Sequence, residues 1–175
     1  MSSPSPSPQD FAKPDAVTGG CLCGAIRFRI EFPKDHDFLK NSQSCQCTQC
    51  RRGSGGLIWH SHTVPAANLA YTTPTTELRS FSATRGVQRG FCAKCGSFLH
   101  WKEDESREVY VSVACVDPEF LRDGEGGGYG YALANSSRGH IYCENEIRGV
   151  NEGWVGKKEN RWEREELHVE PKAEL

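Results

Sequence analysis

Cysteine is the residue type that most constrains how this chain can fold. The 175 residues include nine cysteines, an odd number that argues against a framework in which every sulfur is paired in a disulfide. Seven of the nine fall into three tight groups, which are Cys21 with Cys23, Cys45 with Cys47 and Cys50, and Cys92 with Cys95. Spacings of one or two residues let one stretch of backbone present two sulfurs to one ion, and thiolate is a favoured zinc ligand. The pattern therefore predicts metal binding.

The N-terminus and the net charge restrict the cellular setting that we expect. The first ten residues, MSSPSPSPQD, have neither the basic start nor the apolar stretch of a secretory signal, and no apolar run is long enough to cross a bilayer. We therefore expect a cytoplasmic protein, in which clustered cysteines more often hold metal than form disulfides. A net charge of −2 gives no electrostatic footprint for nucleic acid or for an anionic membrane, so neither is expected as a partner.

The two ends of the chain differ from its middle in composition. Ser-Pro repeats dominate the first residues and cannot bury apolar surface, whereas the last residues are rich in charges of both signs. We predict a disordered Ser/Pro leader at residues 1–16, one domain at 17–156 and a charged tail at 157–175. A chain of this length is long enough to bury the core of a single domain.

Alternation with a period of two dominates the middle of the chain. In residues 25–32 large apolar side chains alternate with charged ones, which is typical of a strand with one buried face. Six more segments are strand candidates, at 57–62, 78–81, 87–91, 98–102, 107–116 and 140–147, and residues 118–122 look like a single helical turn. The glycine-rich run 124–130 lacks the spacing of a dinucleotide fingerprint and is expected to form a flexible loop. The prediction is a mostly β domain of seven or eight short strands with little helix.

The number of clustered sulfurs suggests how they divide. A structural zinc is normally closed by four protein ligands, whereas a catalytic zinc keeps one position open, so seven sulfurs split most simply into four and three. The contiguous triad Cys45, Cys47 and Cys50 would be one set, and the two pairs would close the other. The count alone leaves open a second closed site, completed by Cys115, Cys143, His60 or His62. Cys115 and Cys143 have apolar neighbours and are expected to be small buried hydrophobes in strands.

Three side chains near the triad are further candidates. His60 and His62 point to the same side of a predicted strand, although lone histidines are more often surface or satisfied core residues. Arg51 directly follows Cys50, and a guanidinium there could hold a carboxylate with two hydrogen bonds.

The cysteine motifs together resemble one known family. Gly20-Cys21-Leu22-Cys23-Gly24, Cys45-x-Cys47-x-x-Cys50-Arg51 and Gly90-Phe91-Cys92-x-x-Cys95-Gly96-Ser97 resemble the glutathione-dependent formaldehyde-activating enzymes, also called the CENP-V/GFA domain. The resemblance runs from about residue 18 to about residue 147. It implies a mostly β, Mss4-like, zinc-bound fold. It also implies two zinc ions per chain, a structural one on Cys21, Cys23, Cys92 and Cys95 and a catalytic one on Cys45, Cys47 and Cys50.

The resemblance also implies an activity. The family's reaction joins glutathione and formaldehyde into S-hydroxymethylglutathione, or reverses that step. We therefore expect a zinc-dependent carbon–sulfur lyase or synthase that acts on a glutathione adduct, with glutathione as a co-substrate and a small-molecule thiol as its partner. The expected substrate contacts are Gln46, Arg51, His60 and His62.

Two departures from the family pattern keep other interpretations open. Gln46 stands where family members commonly have histidine, and residues 123–139 look like an insertion. The same zinc fold could therefore act on a different small-molecule substrate. A non-catalytic zinc-binding interaction module and a redox-active thiol protein are further alternatives, and a homo-oligomer is left open.

Overall fold

Short β-strands account for most of the regular structure. The computed structural model describes residues 11–123, 127–151 and 161–162. Within these ranges the strands are β1 (Ala16–Gly20), β2 (Arg27–Glu31), β3 (Ser42–Cys45), β4 (Trp59–Pro65), β5 (Leu69–Tyr71), β6 (Leu78–Thr84), β7 (Val87–Cys92), β8 (Phe98–Glu103), β9 (Glu108–Ser112), β10 (Gly139–Ile141) and β11 (Arg161–Trp162). Three short helices accompany them, α1 (Thr48–Ser54), α2 (Pro118–Leu121) and α3 (Gly130–Ala134). The prediction of a mostly β domain with short strands and little helix is confirmed.

The strands form a small sheet and a large one. The small sheet has the order β1-β2-β5, and the large sheet has the order β11-β10-β3-β4-β9-β8-β7-β6. Strand β10 runs parallel to its neighbours β3 and β11, whereas the other pairs in both sheets are antiparallel. The triad cysteines therefore lie where β3, in the interior of the large sheet, leads into α1.

One face of the large sheet packs against the small sheet, and we call it the core face. In β2 the alternation predicted from the sequence buries Phe28 and Ile30 and leaves the intervening arginine exposed. These two side chains belong to one apolar cluster with Val64 of β4 and Val111 of β9. Because the cluster draws on both sheets, the main core lies between them.

The opposite face of the large sheet carries the triad, and we call it the cavity face. Cys45 is the register partner of Trp59, Arg89 is the partner of Trp101, and Trp101 is the partner of Tyr110. Residues directly opposite each other in a ladder share a face of the sheet. A second apolar cluster on this face contains the three triad cysteines together with Trp59 and Phe98.

Most of the predicted strands are confirmed with small shifts of their ends, and α2 confirms the predicted helical turn. The exceptions are the segments that carry the two unclustered cysteines. In the predicted strand 140–147 only the first residues belong to β10, because Tyr142 adopts a left-handed φ of 61° and a 3₁₀ turn follows at Cys143–Asn145. Likewise β9 ends at Ser112 and a 3₁₀ turn follows at Val113–Cys115. The two cysteines therefore lie in turns rather than in strands.

Several elements have too weak a local pattern to be found from the sequence. β3 reads SQSC and is buried although most of its side chains are polar, and α1 and α3 span only seven and five residues. α3 occupies part of the region expected to be an irregular insertion, and residues 124–126 of the expected glycine loop lie outside the described residues.

The predicted leader and tail fall largely outside the described residues, so the domain boundaries stay a prediction. Residues 11–16 make contacts with the rest of the domain. Phe11 packs against Tyr131 with ring centroids 5.1 Å apart, and Ala16 pairs with Glu31 in the small sheet. Among the helices in the described ranges, none is long and apolar enough to cross a membrane.

Candidate metal centres and the adjoining cavity

The structure brings four of the cysteines together across the sequence. Cys21 and Cys23 follow β1, whereas Cys92 ends β7 and Cys95 lies in the next turn. Their four sulfurs lie within 4.8 Å of one another, with 3.6 Å from Cys21 Sγ to Cys23 Sγ and 3.8 Å from Cys23 Sγ to Cys92 Sγ. Zn–S bonds of about 2.3 Å in a tetrahedron place sulfurs about 3.8 Å apart. This group, which we call the four-sulfur group, therefore fits a closed zinc site.

Two similar turns present these sulfurs. The Gly24 N–H donates to the Cys21 carbonyl at 3.0 Å, and the Gly96 N–H donates to the Cys92 carbonyl at 2.8 Å. Both glycines are left-handed, with φ values of 75° and 77°, a conformation that other residues adopt only at a cost. Gly96 therefore permits a tight turn, and Gly24 has the same role in the first turn. The Leu22 N–H donates to Ser97 Oγ at 3.0 Å and thereby links the two turns.

The thiols of the four-sulfur group have different pKa values. Hydrogen bonds from the Ser97 hydroxyl and the Ser97 backbone lower the pKa of Cys95 to about 5, whereas burial raises the pKa of Cys92 to about 11. Near neutral pH the group would therefore hold thiols as well as thiolate. A divalent cation favours deprotonation of every sulfur that ligates it.

The second group, Cys45, Cys47 and Cys50, we call the three-sulfur group. Its sulfurs also lie within 4.8 Å of one another. Cys47 is the N-cap of α1, and its sulfur accepts a hydrogen bond from the Cys50 N–H at 3.3 Å. The Cys47 N–H in turn donates to the Cys45 sulfur at 3.5 Å. The turn from β3 into α1 therefore brings three sulfurs together and supplies backbone N–H groups that stabilise negative charge on them.

Hydrogen bonds among the three sulfurs shift their pKa values in different directions. Hydrogen bonds from Cys45 and Cys50 lower the pKa of Cys47 to about 2, and the hydrogen bond to the Cys47 sulfur raises the pKa of Cys45. A cation would favour the thiolate form of all three. Since a zinc ion prefers four ligands and this group supplies three, the donor set fits a zinc ion with one open position.

A cavity of about 400 Å³ adjoins the three-sulfur group on the cavity face. Its volume lies within the range of small-molecule sites, which is about 300–1,000 Å³. All three triad cysteines line it, and aromatic side chains form much of the remaining wall, namely Trp59, Trp101, Tyr110 and Tyr142. Because the three sulfurs are largely buried among the described residues, this cavity gives a small molecule a route to them.

Arg89 of β7 lines the cavity, a position that was not predicted from the sequence. It is only 9% exposed, and Nη2 donates a hydrogen bond to Gln49 Oε1 of α1. Its Nε and Nη1 have no hydrogen-bond partner among the described residues. The available signal was its position three residues before Cys92 in a predicted strand. That signal does not say which face of the strand the arginine occupies.

Gln46 and Arg51 lie in a polar network beside the triad and are not among the residues that line the cavity. Gln46 is fully buried, its Nε2 lies 2.9 Å from His140 Nε2, and its Oε1 accepts hydrogen bonds from Arg51 and Asn151. Arg51 also donates to the carbonyls of Leu57 and Asn145. The network ties α1 to the segment after β10, and substrate contact by either residue stays a prediction.

His60 and His62 do share a side of β4, but it is the core face. The His62 ring lies 2.8 Å from the His36 ring between their Nε2 atoms, and its Nδ1 lies 3.2 Å from the Leu133 carbonyl. His60 lines a separate cavity of about 490 Å³, which has Trp59 as a wall in common with the first. Neither histidine belongs to the three-sulfur group. Their role in substrate contact stays a prediction.

The thiols of the two unclustered cysteines each donate a hydrogen bond to a backbone carbonyl. Cys115 is partly buried, and its thiol donates to the Phe98 carbonyl at 3.3 Å. Cys143 is buried, and its thiol donates to the His140 carbonyl at 3.1 Å. Cys143 also has ligand-type atoms of His140 and Glu146 within 4.8 Å, a grouping that the sequence did not suggest.

The fold and the two sulfur groups together define a mostly β domain built around candidate metal sites. The family described as glutathione-dependent formaldehyde-activating enzyme matches residues 16–125, which is more than half of the chain. The chain therefore belongs to this family, and the resemblance seen in the cysteine motifs is confirmed.

Two curated relatives agree with this membership at low identity. A Halomonas elongata protein is 27% identical over 117 residues, which span 62% of this chain and 71% of the relative. A Podospora anserina protein is 24% identical over 99 residues, which span 55% of this chain and less than half, 45%, of the relative. Both are named "Putative glutathione-dependent formaldehyde-activating enzyme". A crystal structure of a Rhodobacter sphaeroides protein is 25% identical with a TM-score of 0.47, covering 61% of this chain and 96% of that one.

Proposed function

We propose that this chain is a zinc-dependent carbon–sulfur lyase or synthase that forms or cleaves a glutathione adduct of the S-hydroxymethylglutathione type. The observation that carries the proposal is the three-sulfur group, which is one ligand short of a closed zinc site and lines a cavity of small-molecule size. Family membership and the names of the two curated relatives support the same reaction class.

Cys45, Cys47 and Cys50 would hold the catalytic ion, and a zinc ion there would favour the thiolate form of a bound substrate thiol. In the synthesis direction the substrate sulfur forms a bond to the formaldehyde carbon, and the carbonyl oxygen takes up a proton. Cleavage reverses both events. Three thiolates donate much negative charge, so we expect this set to favour thiol binding over activation of a carbonyl oxygen.

The cavity wall has two tasks in this reaction. Trp101 and Tyr110 pack edge to face with ring centroids 5.0 Å apart, and Trp59 covers the triad from β4. These rings exclude water and contact the apolar parts of a substrate. His60 and His62 lie on the core face, away from the triad, so we propose that water transfers the proton.

The proposal extends to the metal content and the cellular setting. We propose two zinc ions per chain, with the one on the four-sulfur group linking the start of the domain to its middle and contributing to folding stability. We also propose a cytoplasmic location, because a glutathione-dependent enzyme with reduced cysteines needs a reducing compartment.

The test compares single Cys→Ser changes in the two groups. Zinc per chain is measured by elemental analysis, and turnover is measured as the rate of S-hydroxymethylglutathione formation above the uncatalysed reaction. Cys47→Ser should lose one zinc and the turnover while the domain stays folded. Cys95→Ser should mainly lower the free energy of unfolding. Cys115→Ser, outside both groups, is the matched control and should keep both zinc ions and full turnover.

Two results would refute the proposal in different ways. If Cys47→Ser kept full zinc and full turnover, the catalytic assignment of the three-sulfur group would be wrong. If the zinc-loaded wild type gave no rate above background with any thiol adduct tried, the lyase assignment would be wrong and the zinc-binding interaction module would be favoured.

A further inference from the structure

Arg89 is a buried cation beside the three-sulfur group that the proposed chemistry at sulfur does not use. A guanidinium carries five N–H bonds, and one of the two on Nη2 is given to Gln49 Oε1. The N–H bonds on Nε and Nη1 have no acceptor among the described residues, although both nitrogens are buried. Leaving charged donors without a partner in a buried position is costly, so a binding partner is expected at this point.

Among the described residues no carboxylate is paired with Arg89, although the sulfurs of the three-sulfur group line the same cavity. Gln49, the hydrogen-bond acceptor of Arg89, is neutral. Glu103 lines the same cavity but has an exposed side chain. Arg89 is the only cationic residue among the described residues that line the cavity. The buried indole N–H of Trp59, in the same wall, also lacks an acceptor in the part of the chain that the structure describes.

The guanidinium is held at a defined place relative to the three-sulfur group. Gln49 directly precedes Cys50 in α1, and its Oε1 accepts hydrogen bonds from both Arg89 and Thr84. Arg89 is therefore positioned by a residue of the helix that carries Cys50, and both line one cavity.

We propose that Arg89 binds a carboxylate of the substrate and that the cavity thereby selects thiols and thiol adducts that carry a carboxylate near the sulfur. This inference rests on the proposed function. A carboxylate accepts two N–H bonds from one guanidinium, and such charge-assisted hydrogen bonds are stronger than neutral ones. In the buried cavity the attraction is also less screened by water and salt than at the surface. Substrate sulfur would face the triad while its carboxylate meets Arg89.

The test uses two thiols of equal length that differ in charge, 3-mercaptopropionate and 3-mercaptopropionamide. Their affinities for the full-length zinc-loaded protein are measured by isothermal titration calorimetry, together with zinc per chain. Wild type should prefer the carboxylate about 10- to 100-fold, which corresponds to the usual strength of a hydrogen bond to a charged group. Arg89→Gln should remove this preference, leave the affinity for the amide within about threefold, and leave zinc unchanged.

Two further variants keep the comparison interpretable. Arg89→Lys retains the charge and much of the packing but loses the planar fork, and it should show an intermediate preference even if Arg89→Gln fails to fold. Arg52→Gln removes an exposed arginine from the same helix as Gln49, and it should leave the preference unchanged.

The other outcomes overturn the inference and separate it from the proposed function. If wild type bound both thiols with zinc dependence but equally well, the carboxylate site would be wrong and thiol binding would stand. If Arg89→Gln lost zinc and weakened both thiols alike, Arg89 would instead be a counter-charge for the sulfurs. If neither thiol bound to the zinc-loaded wild type, the proposed function would fail and the inference with it.

Discussion

Gly96→Ala tests whether the turns of the four-sulfur group depend on backbone conformation. Gly96 has a φ of 77°, and a Cβ added there would have no heavy atom of the described residues within 4 Å, its two chain neighbours aside. The substitution therefore adds left-handed strain without a steric clash. The expected loss is about 1–2 kcal/mol in the free energy of unfolding of the zinc-loaded protein. If the strain falls on the metal-bound form alone, zinc affinity at this site should fall by roughly 5- to 30-fold.

The assay is equilibrium unfolding in denaturant at saturating zinc, together with competition for zinc against a chromophoric chelator. Gly53→Ala is the matched control, because Gly53 also has open space around its Cβ position but lies inside α1 without a positive φ. There alanine should be neutral or stabilise the protein by up to about 1 kcal/mol. Equal effects of the two substitutions on stability and on zinc competition would refute the argument that the left-handed glycine holds the sulfurs in place.

Two pH-dependent predictions follow from two titratable side chains, Asp117 and His62, whose pKa values the fold lowers. Hydrogen bonding from Arg27 lowers the pKa of Asp117, so the pair should stabilise the fold above the pKa of an unfolded aspartate, about 3.9, and lose that effect as pH falls further. Asp117→Asn should lower the free energy of unfolding by about 1 kcal/mol at pH 7, a modest value because Arg27 is partly exposed. This loss should become smaller toward pH 3 when stability is measured as a function of pH. Burial lowers the pKa of His62 to about 3, so the unfolded chain takes up this proton first and stability should fall as pH drops from about 6.5 toward 3. His62→Gln should flatten that pH dependence between pH 5 and 7 in denaturant unfolding, and an unchanged slope would contradict the assignment of a neutral buried imidazole.

The position of Arg89 shows why part of the site could not be predicted. Its neighbours in β7 include Gly90 and Phe91, so the strand pattern is visible in the sequence, but a charged residue in such a pattern is ordinarily placed on the solvent side. In the fold Trp101 is its register partner, Tyr110 is the partner of Trp101, and Gln49 reaches it from α1. A lone arginine becomes a cavity residue only because three distant segments meet around it.

For the histidines of β4, the sequence predicted that they share a side of the strand but not which face of the sheet that side is. His60 and His62 follow the triad closely in sequence, and their shared side of the strand was predicted from alternation. Which side that is depends on the ladder, in which His60 is the partner of Ser44 and Trp59 is the partner of Cys45. Since neighbouring residues of a strand point to opposite faces, a one-residue offset from Trp59 places His60 on the core face.

The sequence by itself determined the class of fold, the family and the cysteines that could act together. These are local properties, because ligand spacing and side-chain alternation act over a few residues. Only the tertiary structure decided that the three-sulfur group adjoins a cavity and that Arg89 lines its wall. The physical reason is that strand order and register determine which side chains share a face, and no short stretch of sequence encodes its partners across a sheet.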